Sequence, residues 1–224
     1  MQPVPINEIF YTLQGEARFT GTPAIFIRTQ GCPVGCSFCD TKYSWFLEES
    51  NEVDQEDILN DNHELEHWAN VDPERMLEWC QNNAPACKHI VLTGGEPYVH
   101  DLADFTKLFC DAGYTVQLET SATHSFNGDP RCWHTVSPKV GMTGGYTVIN
   151  DCLEQADEIK HPVGKQKDLD NLLHLLSNSK LKDGVKIWLQ PLSQSAKATA
   201  FCVDTCQTYG FNLSIQTHKY AGVR

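Results

Sequence analysis

The sequence predicts an α/β protein built around a parallel sheet. Short apolar or β-branched segments alternate with amphipathic helical segments along most of the chain, as in successive β-α units. With 224 residues and 41% hydrophobic residues, the chain can bury a substantial core, as one large domain or as a domain with an insertion. In a barrel or a doubly wound layer, ligands bind at the carboxyl ends of the parallel strands. We therefore expect the functional residues to follow the predicted strands.

The elements are predicted in order along the chain. Residues 6–16 are interpreted as an N-terminal arm, and the apolar run 24–28 as the first strand. Asp72-Pro73-Glu74 is a typical helix start, with a cap, a proline in the first turn and an acid near the positive end. The remaining predictions are strands at 89–92, 115–119, 135–136, 158–160, 185–189 and 212–215, and helices at 101–112, 149–156, 168–177 and 196–209.

An acidic segment interrupts this alternation. Residues 43–70 carry nine Asp or Glu and no Lys or Arg. We interpret the segment as a solvated insertion with a short helix around 54–60, within a single domain that spans 1–224. A partner-binding surface is the alternative for this segment.

Composition and charge exclude several classes of protein. The formal net charge of −12 argues against a large nucleic-acid footprint. No apolar run is long enough to cross a bilayer, and the start of the sequence has no export signal. We expect a cytoplasmic protein with reduced cysteines, no nucleic-acid partner and no membrane partner.

Three cysteines on one short loop form the strongest motif. Cys32, Cys36 and Cys39 are spaced C-x3-C-x2-C, and three thiolates at this spacing can bind three corners of a cubane iron–sulfur cluster. A structural zinc site would need a fourth Cys or His nearby, and none is present at that spacing. The other seven cysteines are predicted to be small buried residues, with a second cluster at Cys202 and Cys206 as an alternative.

Polar residues follow the predicted strands. Thr93-Gly94-Gly95-Glu96-Pro97 comes after the strand at 89–92, and its Glu96 can accept a hydrogen bond from an amine. Arg28 ends the strand at 24–28 and is interpreted as an anion clamp rather than a solvated strand end. Further polar groups at strand ends are Glu119-Thr120-Ser121, Ser137-Pro138-Lys139, His161 and Gln190-Pro191. Such a ring indicates the rim of an active site.

These motifs together resemble a known enzyme family. C-x3-C-x2-C with an aromatic residue before the last cysteine is the signature of radical S-adenosylmethionine (SAM) enzymes. The chain also carries LQGE, TGGEP, ETS, SPK, EIKHPVG and QTHKY in one order. With these it resembles the 7-carboxy-7-deazaguanine synthases from about Pro5 onward, except in the acidic segment. Ala17 and Ala122 stand where this family leads us to expect glycine.

The resemblance implies a fold and a reaction. The fold is a partial (β/α)6 radical SAM barrel with parallel strands. The reaction is that of a carbon–nitrogen lyase, which converts 6-carboxy-5,6,7,8-tetrahydropterin into 7-carboxy-7-deazaguanine and ammonia on the route to queuosine. A 4Fe–4S cluster and SAM generate a 5′-deoxyadenosyl radical that takes a hydrogen from C6 of the pterin, and SAM is regenerated. Mg2+, a homodimer and an external electron donor such as flavodoxin are also implied.

The resemblance also implies roles for individual residues. The cluster ligands are Cys32, Cys36 and Cys39, and the Mg2+ ligand is Thr41. SAM contacts are expected from Phe38, Cys39, Asp40, Gly95, Ser121, Ser137, Pro138, Lys139 and Gln190. Pterin contacts are expected from Leu13, Gln14, Gly15, Glu16, Arg28, Thr93, His218 and the carboxylate of Arg224. The competing interpretations are a radical SAM activase that installs a glycyl radical on a protein, and a non-enzymatic iron–sulfur or zinc carrier.

Overall fold

The computed structural model describes residues 1–224 as one nine-stranded sheet with seven helices packed beside it. The strands are β1 (Val4–Leu13), β2 (Pro23–Thr29), β3 (Ala69–Val71), β4 (His89–Gly94), β5 (Thr115–Thr120), β6 (Trp133–Val136), β7 (Glu158–Val163), β8 (Lys186–Pro191) and β9 (Asn212–Leu213). The helices are α1 (Gln55–Leu59), α2 (Pro73–Asn83), α3 (Ala103–Asp111), α4 (Asn150–Glu154), α5 (Gln166–Ser177), α6 (Ala196–Tyr209) and α7 (Thr217–Ala221).

The sheet is mostly parallel and open. Its order is β3-β1-β2-β4-β5-β6-β7-β8-β9. Every pair from β2 to β9 is parallel, whereas β1 lies antiparallel to both β2 and β3. Because β3 and β9 form free edges, the sheet does not close. The predicted α/β class and partial barrel are confirmed.

The prediction for the N-terminal segment was wrong. Residues 4–13 form β1, so the apolar run at 24–28 belongs to the second strand of the chain. The buried polar residues Asn7 and Glu8 interrupt the apolar pattern by which a doubly buried strand is recognised. A bulge between Ile6 and Glu8 shifts the register there and further obscures any alternation.

The acidic segment is integrated into the fold more closely than predicted. The expected short helix is present as α1, where Asp54 Oδ1 accepts a hydrogen bond from Glu56 N at 2.9 Å. However, Ile58 and Trp68 are buried, and β3 extends the sheet. The interpretation as a purely solvated insertion was therefore wrong, since this segment supplies an edge strand and part of the core.

Each predicted helix is present, with its ends within two residues of the predicted ones. The helix α6 spans the predicted residues: Ser195 Oγ caps its start by accepting from Ala198 N, and left-handed Gly210 follows its end. The helix α2 begins at the predicted Asp72-Pro73-Glu74 start, and its Met76 and Cys80 are fully buried. The helix α7 was not predicted. No helix is long and apolar enough to span a bilayer.

Two apolar clusters support the sheet. The larger has 23 buried residues and packs β1–β5 against α1, α2 and α3. The smaller has 11 and packs α4, α5 and α6 against β6, β7 and β8. All ten cysteines are free. Cys202 lies fully buried in the smaller cluster with Cys206 beside it, so this pair acts as core packing.

Candidate active site at the carboxyl ends of the strands

One cavity of about 570 Å³ collects the polar residues that follow the parallel strands. Of the residues assigned roles from the sequence, all except Gly15 and Pro138 line it. They are Leu13, Gln14, Glu16, Arg28, Cys32, Cys36, Phe38, Cys39, Asp40, Thr41, Thr93, Gly95, Ser121, Ser137, Lys139, Gln190, His218 and Arg224. Residues that are up to 211 positions apart in sequence, from Leu13 to Arg224, therefore surround a single volume.

The three cysteines of the C-x3-C-x2-C loop lie on one wall of this cavity, and no other cysteine lines it. Burial, with smaller contributions from Glu96 and the neighbouring cysteines, raises the pKa of the Cys32 thiol to about 11. Burial likewise raises the pKa of Cys36, although Lys139 opposes this. A positively charged inorganic group would therefore favour the thiolate forms that metal binding requires.

The arrangement suits a multi-iron cluster better than a single zinc ion. No three His, Cys, Asp or Glu side chains are grouped closely enough to hold one metal ion. Three free thiols from one loop line a shared cavity, and this donor set is that of a cubane cluster ligated at three corners. The residues present thus fit a 4Fe–4S group with one open iron.

Backbone contacts hold this loop from two sides. On one side, Glu96 N donates to Gly31 O at 2.9 Å, and Gly95 N donates to Thr29 O at 2.8 Å. On the other side, Gly144 N donates to Val34 O at 3.0 Å, and a Cβ on Gly144 would lie 2.8 Å from the same oxygen. Gly95 of TGGEP therefore packs closely on the start of the cysteine loop, and the loop around Gly144 was not anticipated from the sequence.

The carboxylate of Glu96 is bonded within the protein. Its Oε1 accepts from Thr120 Oγ1 at 2.7 Å, its Oε2 accepts from Ser121 N at 2.8 Å, and Ser121 Oγ also donates to it. The side chain is almost completely buried. This carboxylate therefore joins the end of β4 to the end of β5, and its acceptance of a hydrogen bond from an amine stays a prediction.

Arg28 presents unpaired donors to the cavity. Its Nε donates to Glu8 Oε1 at 2.5 Å, while its two terminal nitrogens make no hydrogen bond within the protein. Glu8 also accepts from Tyr43 Oη at 3.2 Å and from Arg224 Nη2 at 2.5 Å. A mostly buried guanidinium with its fork free favours the anion-clamp interpretation over a solvated strand end.

A network of charged side chains also lines the cavity. The ammonium of Lys160 donates to Glu16 Oε2 and to Glu119 Oε2, the latter at 2.8 Å. Gln14 Nε2 donates to Glu119 Oε1 at 3.2 Å, and its Oε1 accepts from Glu16 N at 3.0 Å. This part of the cavity wall therefore combines two carboxylates with an amide that offers both a donor and an acceptor.

The segment that contains α7 closes the cavity beside Glu16. Thr217 N donates to Gly15 O at 2.9 Å, and Gln216 Nε2 donates to Glu16 Oε1 at 2.8 Å. A Cβ on Gly15 would lie 2.7 Å from Cγ of His218, so glycine lets the imidazole pack there. Burial lowers the pKa of His218, against the opposing charge of Glu16, and favours its neutral form.

Several lining residues were missed. Glu119 and Lys160 belong to the quoted motifs ETS and EIKHPVG, but no role was assigned to either. A charged residue inside an apolar strand was the available signal. Glu8 and Gln216 gave no such signal, because each acts through partners distant in sequence. Pro138 lies at an adjoining cavity of about 520 Å³, beside Phe38.

Comparison with known proteins identifies the family. The model of the Radical SAM superfamily matches residues 26–129. A 7-carboxy-7-deazaguanine synthase of Escherichia coli K12 is 48% identical over 222 residues, with 98% of each chain covered. The enzyme of that name from Buchnera aphidicola (subsp. Schizaphis graminum) is 39% identical over 220 residues, covering 98% of this chain and 99% of the other.

A solved structure agrees with these relatives. The crystal structure of QueE from Escherichia coli superimposes with a TM-score of 0.91 at 46% identity, covering 95% of this chain and 93% of that one. The shared fold thus spans the sheet, the cysteine loop and the cavity together. This chain belongs to the 7-carboxy-7-deazaguanine synthase family of radical SAM enzymes.

Proposed function

We propose that this protein converts 6-carboxy-5,6,7,8-tetrahydropterin into 7-carboxy-7-deazaguanine and ammonia in queuosine biosynthesis. The observation that carries the proposal is the single cavity lined by the cysteine loop on one wall and by Gln14, Glu16, Arg28 and His218 on the others. A small heterocycle bound among these residues lies next to the site of radical formation. A concave cavity of this size suits a small molecule better than a protein substrate.

The cofactors of the radical SAM superfamily are a 4Fe–4S cluster and SAM. Cys32, Cys36 and Cys39 would hold the cluster. Phe38, Asp40, Gly95, Ser121, Ser137, Lys139 and Gln190 would surround SAM, and Pro138 would contact it from the adjoining cavity. When bound and reduced, this pair supplies a carbon radical that abstracts hydrogen.

The chain itself binds and orients the pterin. The free fork of Arg28 is suited to bidentate binding of the substrate carboxylate. Gln14 and Glu16 offer the acceptors and donor that match the polar edge of a pterin ring. Leu13 and Thr93 complete the part of the cavity that binds the pterin ring. The α7 segment with His218, which packs on Gly15, excludes water from this part.

We further propose that Thr41 ligates Mg2+ together with the substrate carboxylate. Its hydroxyl lines the cavity, 3.6 Å from Cys39 Sγ, and Mg2+ prefers such oxygen ligands. We expect Thr41→Ala to weaken the dependence of product formation on Mg2+ while SAM cleavage persists. An unchanged response of product formation to Mg2+ would refute this role of Thr41.

The function is tested by anaerobic reconstitution with iron and sulfide, followed by incubation with SAM, dithionite, Mg2+ and the carboxypterin. The expected product is the deazapurine, identified by mass spectrometry. Cys36→Ser should abolish product and cluster, whereas Cys110→Ser on α3, outside the cavity, should leave both unchanged. SAM cleavage without deazapurine would favour the activase alternative, and an iron-loaded protein that never cleaves SAM would favour the carrier.

The partners follow from this reaction. Reduction of the cluster requires an external electron donor, for which a flavodoxin is suitable. Ten free cysteines suit a reducing compartment, and we propose the cytoplasm. We also propose a homodimer, by resemblance to the family, which light scattering of the reconstituted protein would test.

A further inference from the structure

Lys160 occupies an unusual position for a lysine. It lies in the middle of β7 and is only 4% exposed, yet its ammonium lines the catalytic cavity. Its two partners, Glu16 and Glu119, come from the segment after β1 and from β5. A buried lysine is rare unless it is paired, so a single cation here joins three parts of the cavity wall.

The remaining carboxylate oxygens are oriented by amides. Glu16 Oε1 accepts from Gln216 Nε2 at 2.8 Å and from Gln190 Nε2 at 3.2 Å. Glu119 Oε1 accepts from Gln14 Nε2 at 3.2 Å and from Gln117 Nε2 at 3.4 Å. Each carboxylate thus has one oxygen on the lysine and the other on glutamine side chains. Both orientations are defined before any ligand arrives.

The charge of the two carboxylates, Glu16 and Glu119, depends on Lys160. Burial by itself would raise the pKa of Glu16, but the ammonium of Lys160 and the hydrogen bonds from Lys160 and Gln216 lower it to about 2. Without the cation, two buried carboxylates would face each other, and one of them would take up a proton. A carboxylate that is protonated becomes a donor on that oxygen and no longer offers two acceptors.

We propose that Lys160 is a positioning residue that keeps Glu16 and Glu119 ionised and fixed as a pair of acceptors for the amino and ring N–H groups of the substrate heterocycle. This inference rests on the proposed function, because it assigns the donor-bearing edge of the pterin to this wall. Arg28, which lies elsewhere on the cavity wall, is left to the substrate carboxylate. The substrate is thereby oriented by opposite charges at its two ends.

Other charged groups face Lys160 and its two carboxylates and must be considered in any pH experiment. His218 from α7 is next to Glu16, and burial lowers its pKa below 6.5, so it stays neutral at higher pH. Lys139 faces Lys160 and Glu119 from the loop after β6, and Glu158 faces the same two residues from the start of β7. These three residues are unchanged in every variant below, so differences between variants report on Lys160.

The first test needs no ligand. In the wild-type protein the stability contributed by Glu16 is fully present above its unfolded pKa of about 4.5 and constant from pH 5 to 8. In Lys160→Met the opposing cation is lost, so burial raises the folded pKa of Glu16 above its unfolded value and stability is lost as pH rises through this range. We expect the urea midpoint of Lys160→Met to fall from pH 5 to pH 8 relative to wild type. A parallel pH profile for the two proteins would overturn the proposal.

The second test measures binding of the carboxypterin to the cluster-loaded protein between pH 6.5 and 8.5 by isothermal titration calorimetry. We expect Lys160→Met to weaken binding about tenfold or more, with the loss growing as pH falls and a carboxylate takes up a proton. Lys160→Arg, which keeps the charge, should restore much of the affinity. A loss that is equal at every pH would indicate a merely structural role and would overturn the proposal.

Two further variants keep both tests decisive. Lys182→Met removes an exposed lysine paired with Asp157 at 2.9 Å and should match wild type in both measurements.

If Lys160→Met does not fold, Glu119→Gln is compared with Glu119→Gln/Lys160→Met, in which only Glu16 remains of the two carboxylates. The single variant should bind without pH dependence and the double variant with it; equal profiles would refute the role of Lys160. Failure of the wild type to convert the pterin would refute the proposed function alone, since the urea profiles do not depend on it.

Discussion

Gly95 lies directly against the carbonyl group of Gly31: a Cβ on Gly95 would be 2.7 Å from the carbonyl carbon and would overlap the oxygen. This contact attaches the turn after β4 to the start of the cysteine loop through backbone alone. The oxygen involved also accepts a hydrogen bond from Glu96 N at 2.9 Å. The position of Cys32 therefore depends on the absence of one methyl group.

We expect Gly95→Ala to displace the cysteine loop and to reduce cluster incorporation strongly, since backbone atoms cannot yield as a flexible side chain does. Iron and sulfide per chain after anaerobic reconstitution measure this effect. Gly113→Ala is the control, because Gly113 follows α3, away from the cavity, and a Cβ there would meet nothing within 4 Å, so its cost comes from the positive φ of Gly113 alone. It should cost about 1 kcal/mol of stability and leave iron content unchanged; normal iron content in Gly95→Ala would contradict the argument.

Glu8 holds two arginines at once, and its loss should affect the substrate more than SAM. We expect Glu8→Gln to raise the KM for the carboxypterin about tenfold, because Arg28 loses the charged partner that orients it. Glu8→Ala should lower the free energy of unfolding by about 3–5 kcal/mol, as expected for one half of a buried ion pair. Steady-state kinetics and urea unfolding provide the measurements.

The control for Glu8 is Glu78→Gln, which removes an exposed partner of Arg75. An exposed ion pair contributes about 0–1 kcal/mol, so this variant should match wild type in both measurements. If Glu8→Gln altered the KM for SAM and for the pterin equally, Glu8 would not act through Arg28.

The buried imidazole of His134 should make the protein sensitive to acid. Burial lowers its pKa from 6.5 to about 4, and its Nε2 lies 2.7 Å from Tyr98 Oη. Because the unfolded state binds the proton more readily, its stability contribution is present above pH 6.5 and is lost as pH falls toward 4. The shift corresponds to about 3 kcal/mol at pH 4.

We therefore expect His134→Gln to reduce the decline in unfolding free energy between pH 6.5 and 4 by about 3 kcal/mol. Urea unfolding at several pH values measures this slope. His174→Gln, on the solvent-exposed face of α5, should leave the slope of the wild-type protein. Equal slopes for His134→Gln and wild type would show that His134 is not the responsible group.

Ala17 and Ala122 have the left-handed backbone that glycine adopts without strain. Their φ angles are 52° and 60°, and both are positions where the sequence led us to expect glycine. Left-handed alanine costs about 1–2 kcal/mol, so Ala17→Gly and Ala122→Gly should be more stable by about this amount than Ala24→Gly. Ala24 is an equally buried alanine in β2. Equal losses of stability in all three variants would contradict this expectation.

Local sequence signals predicted the fold where they were strong. The cap and glycine around α6 defined its ends, and the apolar runs defined β4, β5 and β8 to within two residues at each end. The signals failed at β1, whose buried Asn7 and Glu8 are satisfied only by distant residues. They also failed at β3, a three-residue edge strand inside the acidic segment.

The same distinction applies to the site. Rules about parallel strands and a family resemblance together placed residues from Leu13 to Arg224 that line one cavity. They did not give the bonding of Glu96, which depends on Thr120 and Ser121 from the neighbouring strand. Nor did they give the role of Lys160, because ion pairs between distant segments leave no local pattern in a sequence.

The unequal division of apolar side chains between the two ends of the sheet has a consequence for local opening. Strands β6, β7 and β8 rest on 11 buried residues, with β9 at their edge, whereas the other end rests on 23. We expect backbone amides of β8 and β9 to exchange with deuterium sooner than those of β2 and β4, because less apolar surface must be exposed to open them. Slower exchange at β8 than at β4 would contradict this expectation.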